Sequence, residues 1–179
     1  MELYEAIRSR RSIRAYRKEP IPEEVLRRVL DATHQAPSAN NVQPWKFIVV
    51  KDEKRRRKVA EYCWRQEFIA EAPVVVVGCG LGTSSQIGGY ASSVMVDVAI
   101  AMDHLSLAAR TEGLGSCWIG AFDNEELKKL LAVPEDVDIV AVMPIGYPVK
   151  EIISPGRRKH LSEVLALDTF DKAYPLKDA

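Results

Sequence analysis

Cysteine and histidine are scarce, with three of each in 179 residues. Cys63, Cys79 and Cys117 form no C-x-x-C pair, and so few thiols and imidazoles give poor support to a zinc site, so no metal is expected. Isolated thiols flanked mostly by apolar residues suit a reducing cytosol. A dominant charge of one sign is also missing. Lys plus Arg is 25 and Asp plus Glu is 25, so no overall field draws the molecule to nucleic acid or an anionic membrane, and any basic site must be local. No uninterrupted apolar run approaches the ~20 residues of a membrane span. The charged, amphipathic stretch 1–14 lacks the apolar centre of a signal peptide. The expectation is a cytoplasmic protein with neither membrane nor nucleic acid as partner. Internal repeats and linkers are absent.

What is present is the composition of an ordinary globular chain, 47% apolar and 28% charged. The length fits one domain over residues 1–179, since domains usually hold ~100 to 200 residues. Leu3–Ser9 reads as a short helix, and 22–36 as a longer one with proline in its first turn and Val25, Leu26, Val29 and Leu30 at helical spacing. Stretches 46–50 and 73–79 are short, β-branched and bounded by Pro or Gly, the signature of buried strands. Between them 53–66 reads as a solvated helix. Further strands are expected at 116–121 and 137–145, with a helix over 125–131 between them and a polar tail from residue 168. Helices and strands do not alternate as in a parallel doubly wound sheet, so the class is α+β. The stretch 90–110 is helical but apolar almost all round, and a helix of that kind must be buried on every side. A chain this small has limited material to wrap it, so a second copy is expected to do so, giving a homodimer.

Four motifs carry candidate chemistry. RRSIR at 10–14 sets three guanidiniums and a hydroxyl after the first helix, a grouping that can grip phosphate because arginine offers forked donors and a charge that does not titrate near neutrality; alone it also reads as a solvated basic helix end. PGRRK at 155–159 is a second basic cluster in a loop, and the two could converge on one dianion. APSANNVQPW at 36–45 is turn chemistry. It nevertheless packs Ser38, Asn40, Asn41 and Gln43 beside Trp45, more neutral donors and acceptors than a connector needs and suited to a polyol chain or a heterocycle edge. GLGSCWIGAF at 113–122 brackets an apolar strand with glycines that permit close approach of backbone to a flat ligand, or simply cap a helix. Two other features are set aside. Gly78, Gly80 and Gly82 have G-x-G-x-G spacing with Thr83 in the sixth place and no acidic strand end ~20 residues on, so they make no dinucleotide loop. Residues 54–58 are all basic, but Glu53, Glu61 and Glu67 flank them, as on a solvated helix face.

RRSIR, then APSANNVQPW, then a long apolar helix running into GLGSCWIG, then IGYP at 145–148 and PGRRK, taken in order over nearly the whole chain, resemble the nitroreductase family. That resemblance implies an α+β fold with a central, mostly antiparallel sheet flanked by helices. It implies two copies intertwined as a homodimer, with FMN in the seam between them. By the same resemblance Arg10, Arg11, Ser12 and Arg14 look like ligands of phosphate, ribityl chain or pyrimidine edge, and Arg157 with Arg158 like a second phosphate clamp. Pro37, Ser38 and Asn40 are similar to positions supplied by the partner subunit, with Gln43 in the same polar run, while Ile119 and Gly120 would lie along the isoalloxazine. The implied activity is transfer of hydride from NADH or NADPH through FMN to a small electrophile such as a nitroaromatic, a quinone or a flavin. It would run by a ping-pong scheme in which no side chain acts as the catalyst. A cation such as Arg10 or Arg14 would stabilise charge near N1 and O2 of reduced flavin.

The sequence departs from longer members of the family in having little between residues 65 and 73 and only a modest insertion over 81–90. Trp64, Phe68 and Tyr90 are the candidates there for gating an acceptor pocket. Two other readings stand beside this one. One is a reductive dehalogenase or flavin-cleaving enzyme on the same scaffold; the other is a basic nucleic-acid-binding module using 10–18 and 54–58.

Overall fold

The computed structural model describes residues 1–82, 85–150 and 156–176. Thr83 of the glycine run and Pro155 of PGRRK lie outside the described residues, as does the end of the polar tail. Along the chain run α1 (Leu3–Ser9), α2 (Glu23–His34), β1 (Trp45–Val50), α3 (Glu53–Tyr62), α4 (Phe68–Glu71), β2 (Val74–Gly80), β3 (Gln86–Ile87) and β4 (Ala91–Ser92). They are followed by α5 (Val94–Thr111), β5 (Gly115–Ser116), α6 (Asn124–Leu131) and β6 (Asp138–Gly146). Short 3-10 turns occupy Ala39–Asn41 and Leu161–Glu163.

The sheet follows from β2, whose sequence VVVVGCG is buried at every position. Four valines in a row suit a strand covered on both faces, because branching at Cβ favours the extended backbone and packs on the pleat. β2 pairs antiparallel with β1 on one side and β6 on the other, and β5 adds to β6, giving the order β1-β2-β6-β5. Successive side chains point to opposite faces. Val74 and Val76 therefore pack with Leu26, Val29, Val98, Met102, Leu105 and Met143 under α2 and α5. Val75 and Val77 pack with Val59, Ala60, Ile69, Leu127 and Val142 under α3, α4 and α6. The result is the mixed helix and antiparallel-sheet architecture that the sequence indicates.

The glycines at the end of β2 have a packing role. A Cβ on Gly78 would stand 3.1 Å from Sδ of Met102 and 3.1 Å from Cγ1 of Val98. The missing side chain lets α5 lie close against the sheet, as glycine in a strand does where another element approaches. The basic run 54–58 sits on α3, capped by Asp52, whose side chain accepts from the Arg55 N–H. Arg57 pairs with Glu53 at 2.6 Å and Lys58 with Glu61 at 2.8 Å. Arg56 turns inward and donates to the carbonyls of Ala70 and Ala72.

Several boundaries differ from the sequence expectation, each for a local reason. The helix expected over 53–66 stops at Tyr62, because Trp64 and Arg65 take positive φ, 61° and 56°. The helix expected over 90–110 begins at Val94, residues 91–92 being used in the β3–β4 hairpin. The strand expected over 116–121 shrinks to Gly115–Ser116 with one further bridge, Ile119 to Val142. α5 is not buried on every side by its own chain. Val98, Ala101, Met102, Leu105 and Ala109 are buried, while Met95 and Val96 remain 49% and 46% exposed. No described helix is long and apolar enough to cross a membrane.

Leu105, fully buried between α5 and the sheet, should be among the costliest truncations. Leu105→Ala is expected to lower the unfolding free energy by about 2–5 kcal/mol, read from urea denaturation; a loss below ~1 kcal/mol would contradict the packing described.

Candidate functional site

RRSIR is positioned by backbone pairing. The chain leaves α1 and runs extended along the end of the sheet, with Ile13 N–H donating to Ser116 O (2.9 Å), Arg17 N–H to Tyr147 O (2.8 Å) and Val149 N–H to Ala15 O (3.2 Å). Burial varies along this segment without strict alternation. Ile13 and Tyr16 are buried, Arg10, Arg11 and Ser12 are half-buried, and Arg14 is exposed. The Tyr16 hydroxyl donates to Ile13 O at 2.8 Å, with Pro144 O 3.3 Å away, which fixes the segment from below. Burial raises the Tyr16 phenol far above its ordinary pKa. Arg10 and Arg11 line a cleft with Ser106, Arg110, Ser116 and Pro148, and Arg110 Nε donates to Ser9 Oγ at 2.9 Å. Beside it, burial raises the Cys117 thiol, while the nearby Arg14 charge, a hydrogen bond with Ser12 and the Arg10 charge pull the other way.

The second basic cluster meets the first at Gly156. A Cβ there would lie 3.0 Å from Nη1 of Arg158 and 3.4 Å from Nε of Arg11, so both guanidiniums flank one small patch of backbone. Arg11 Nη1 donates to the carbonyls of Arg8 (2.7 Å) and Arg10 (2.6 Å), and Arg158 Nη1 to Arg157 O at 3.1 Å. Arg157 itself is exposed. Among the described residues, Arg10, Arg14, Arg157 and Arg158 make no ion pair with a carboxylate, as is also true of Arg27, Lys46 and Arg55 elsewhere on the surface. Cations gathered without counter-ions repel one another, and a bound anion with several acceptor oxygens relieves that repulsion.

The amide-rich stretch forms a tight loop before β1. Asn40, Asn41 and Gln43 all take positive φ, 51°, 56° and 54°, a region that asparagine tolerates and glutamine seldom adopts. Ser38 Oγ accepts from the Gln43 N–H (2.8 Å), Asn40 Nδ2 donates to Ser85 Oγ (2.6 Å), and the Ala39 N–H donates to Oδ1 of Asp97 (3.0 Å). Pro37 is exposed at the entry to the loop and Ser38 half-buried. Asp97 sits near the start of α5 and Arg110 near its end. Thirteen residues at ~1.5 Å each separate the two by about 20 Å along the helix axis, so within one chain the polar loop and the arginine cleft lie at opposite ends of α5. Ile119 is buried, and its N–H and C=O both bond Val142, at 2.9 and 3.0 Å. Gly120, next along, is exposed. Trp64 and Tyr90 are strongly exposed, while Phe68 is partly packed into the core.

Sequence reasoning passed over Asp97, Ser85, Ser93, Arg110 and Gly156. Only Asp97 carried a signal, as one acid inside the apolar run VMVDVAIAM of α5. No group of three or more His, Cys, Asp or Glu among the described residues could hold a metal ion.

Fold and cleft together define an α+β protein with an arginine-lined cleft at the edge of an antiparallel sheet. The sequence matches the family model described as Nitroreductase family over residues 7–79 and 62–147, and the chain belongs to that family. It is 35% identical over 162 residues, 88% of its length and 82% of the relative's, to a protein of Methanothermobacter thermautotrophicus that carries the provisional name NADH dehydrogenase/NAD(P)H nitroreductase. It is 32% identical over 164 residues, 82% of its length and 66% of the relative's, to a Bacillus subtilis protein named FMN reductase [NAD(P)H]. Among solved structures it resembles a nitroreductase family protein from Clostridium novyi, with 30% identity, a TM-score of 0.80 and 97% of each chain covered.

Burial pushes the Cys63 thiol up to about 12 and the Cys79 thiol up to about 11. Both should therefore ignore a disulfide reagent such as DTNB at pH 8 until the protein is unfolded. Since both native values lie above the ~8.5 of an exposed thiol, their contribution to stability is intact below that pH and is lost as pH climbs toward 12. Urea midpoints measured from pH 8.5 upward should fall over that window.

Proposed function

We propose that the protein is an FMN-dependent oxidoreductase that draws electrons from NADH or NADPH and delivers them to a small electrophilic acceptor, residues 1–179 forming one flavin-binding domain. The observation that carries this reading is the meeting of Arg11 and Arg158 over Gly156, beside Arg10 and Arg14. The donor set fits the flavin. Forked guanidiniums match a terminal phosphate, the Ser12 hydroxyl and the Arg14 charge lie further along the same extended segment, and the glycine leaves room for oxygen atoms where a Cβ would intrude. Bound FMN supplies hydride acceptance at N5 and hydride donation to a second substrate. The chain's own part is to bind and orient it. Arg11, Arg157 and Arg158 would hold the phosphate, Arg10 or Arg14 would supply positive charge where negative charge develops on the reduced ring, and Gly120 would leave the backbone open to a flat ligand. With one slot serving donor and acceptor in turn, no separate dinucleotide fold is required.

The site is completed by a second copy. Pro37, Ser38, Asn40 and Gln43 lie a helix length away from the arginines of their own chain, so they meet a flavin only if a partner presents them. The surfaces available for pairing are apolar. Leu3, Tyr4 and Ile7 on α1, Met95 and Val96 on α5, and Phe170 in the tail are all exposed, and a soluble chain seldom leaves so much apolar area uncovered. A twofold pair would bury these faces and form two equivalent flavin sites.

The purified protein is expected to be yellow, absorbing near ~450 nm, and to elute as a dimer by light scattering at micromolar concentration. Anaerobic addition of NADH or NADPH should bleach that band; if neither does, the assignment of electron donor fails. Arg14→Ala and Arg158→Ala are each expected to weaken FMN binding by ~1.5–3 kcal/mol, the range for charged hydrogen bonds, as measured by fluorescence titration of the apoprotein. Unchanged affinity in both variants would refute the site.

A further inference from the structure

We infer that Asp97 is a positioning residue for this flavin reaction, holding the 38–43 loop and the β3–β4 hairpin in fixed relation to the start of α5; the inference rests on the FMN reading above. Asp97 is 4% exposed in the first turn of α5. A carboxylate there commonly accepts from N–H groups of its own helix. This one divides its oxygens, with Oδ1 accepting from the Ala39 N–H of the distant loop at 3.0 Å and Oδ2 from the hydroxyl of Ser93, the N-cap of its own helix, at 2.9 Å.

Those two bonds close a circuit. The Ser93 N–H donates to Ser85 O at 2.9 Å, and Ser85 Oγ accepts from Asn40 Nδ2 at 2.6 Å, one residue beyond Ala39. Asp97, Ser93, Ser85 and Asn40 thus link three elements, the 38–43 loop, the β3–β4 hairpin and the start of α5, the last two joined directly through Ser93. Two of them bear on the proposed chemistry. The loop carries Ser38 and Asn40, and the hairpin carries Tyr90, 84% exposed at its tip. Burying a carboxylate is costly unless hydrogen bonds compensate, and apolar packing alone would be served better by Ala or Leu. The loop also has an intrinsic need for an external anchor, since three non-glycine residues in four hold left-handed backbone. Conformations of that kind persist only where their surroundings over-determine them.

The test is FMN titration of the full chain as wild type, Asp97→Ala, Asp97→Asn and Ser93→Ala, with visible circular dichroism of the bound flavin and KM and kcat for the quinone menadione. Asp97→Ala is expected to remain folded by far-ultraviolet dichroism, to raise the FMN Kd roughly tenfold, to change the flavin dichroism and to raise the menadione KM more than it lowers kcat. Asp97→Asn keeps an oxygen for the Ala39 N–H and should return the Kd to within about threefold of wild type. A folded Asp97→Ala with wild-type Kd, dichroism and KM overturns the inference and leaves the FMN reading standing. Wild-type protein that takes up no FMN overturns the reading itself, and the inference falls with it. Should Asp97→Ala fail to fold, Ser93→Ala, which removes the hydroxyl bonded to Oδ2 of Asp97, decides: a raised FMN Kd with altered flavin dichroism supports the positioning role, and wild-type Kd, dichroism and KM overturn it.

Discussion

On the proposed reading, the site depends on two basic segments being held side by side. Arg11 and Arg158 come from stretches nearly 150 residues apart, yet their guanidiniums share the space around Gly156. The chain has zero net charge, so no overall basic excess accounts for the cluster, and backbone geometry helps to enforce it. The enforcement is visible in the bonds from Ile13 to Ser116, from Arg17 to Tyr147 and from Val149 to Ala15, which stitch the first basic segment along the end of the sheet. Ile13 and Tyr16 anchor that segment in the core, so its arginines cannot drift apart without exposing apolar surface. Core packing thereby fixes where the first basic segment stands.

The core that does this is built on β2. Because its valines are buried on both faces, helices must cover both, and α5 can approach closely only where Gly78 withholds a side chain. The glycine run that mimics a nucleotide loop is therefore explained by packing. The same close approach fixes where the ends of α5 lie, and each end carries a polar residue that bonds away from its own helix: Asp97 to Ala39, and Arg110 to Ser9. A rigid, mostly apolar rod thus sets the distance between the polar loop and the arginine cleft.

Much of this was legible from residue order. The buried strands, the amphipathic α2, the apolar α5 and the basic and amide-rich motifs follow from period, branching and turn chemistry, and the class from their arrangement. What was not legible has physical causes. Trp64 and Arg65 end α3 by taking left-handed backbone that no glycine announces. The β3–β4 hairpin is two residues a side, too short for alternation to register. Residues 117–121 read as strand from their apolar content, yet only Ile119 pairs with β6. Gly156 carried no signal of its own within PGRRK, since its place depends on Arg11, brought to it from the other end of the chain. The convergence of RRSIR and PGRRK was an open question in the sequence. It is a three-dimensional fact about Arg11 and Arg158.

The exposed apolar residues and the unpaired arginines pose related problems. Met95, Val96 and Phe170 cost free energy in water, and Arg10, Arg14 and Arg158 repel one another without a counter-ion. On the proposed reading one event addresses both: a second copy covers the apolar faces and presents its 38–43 loop, and a phosphate-bearing cofactor neutralises the cleft. Cofactor binding and assembly then favour each other by linkage, because a ligand that contacts both chains binds the pair and not the separated chain. The distance set by α5 is what makes this coupling obligatory. A chain that folded its own polar loop onto its own arginines would bind flavin as a monomer, and the exposed faces of α1 and α5 would then have no role.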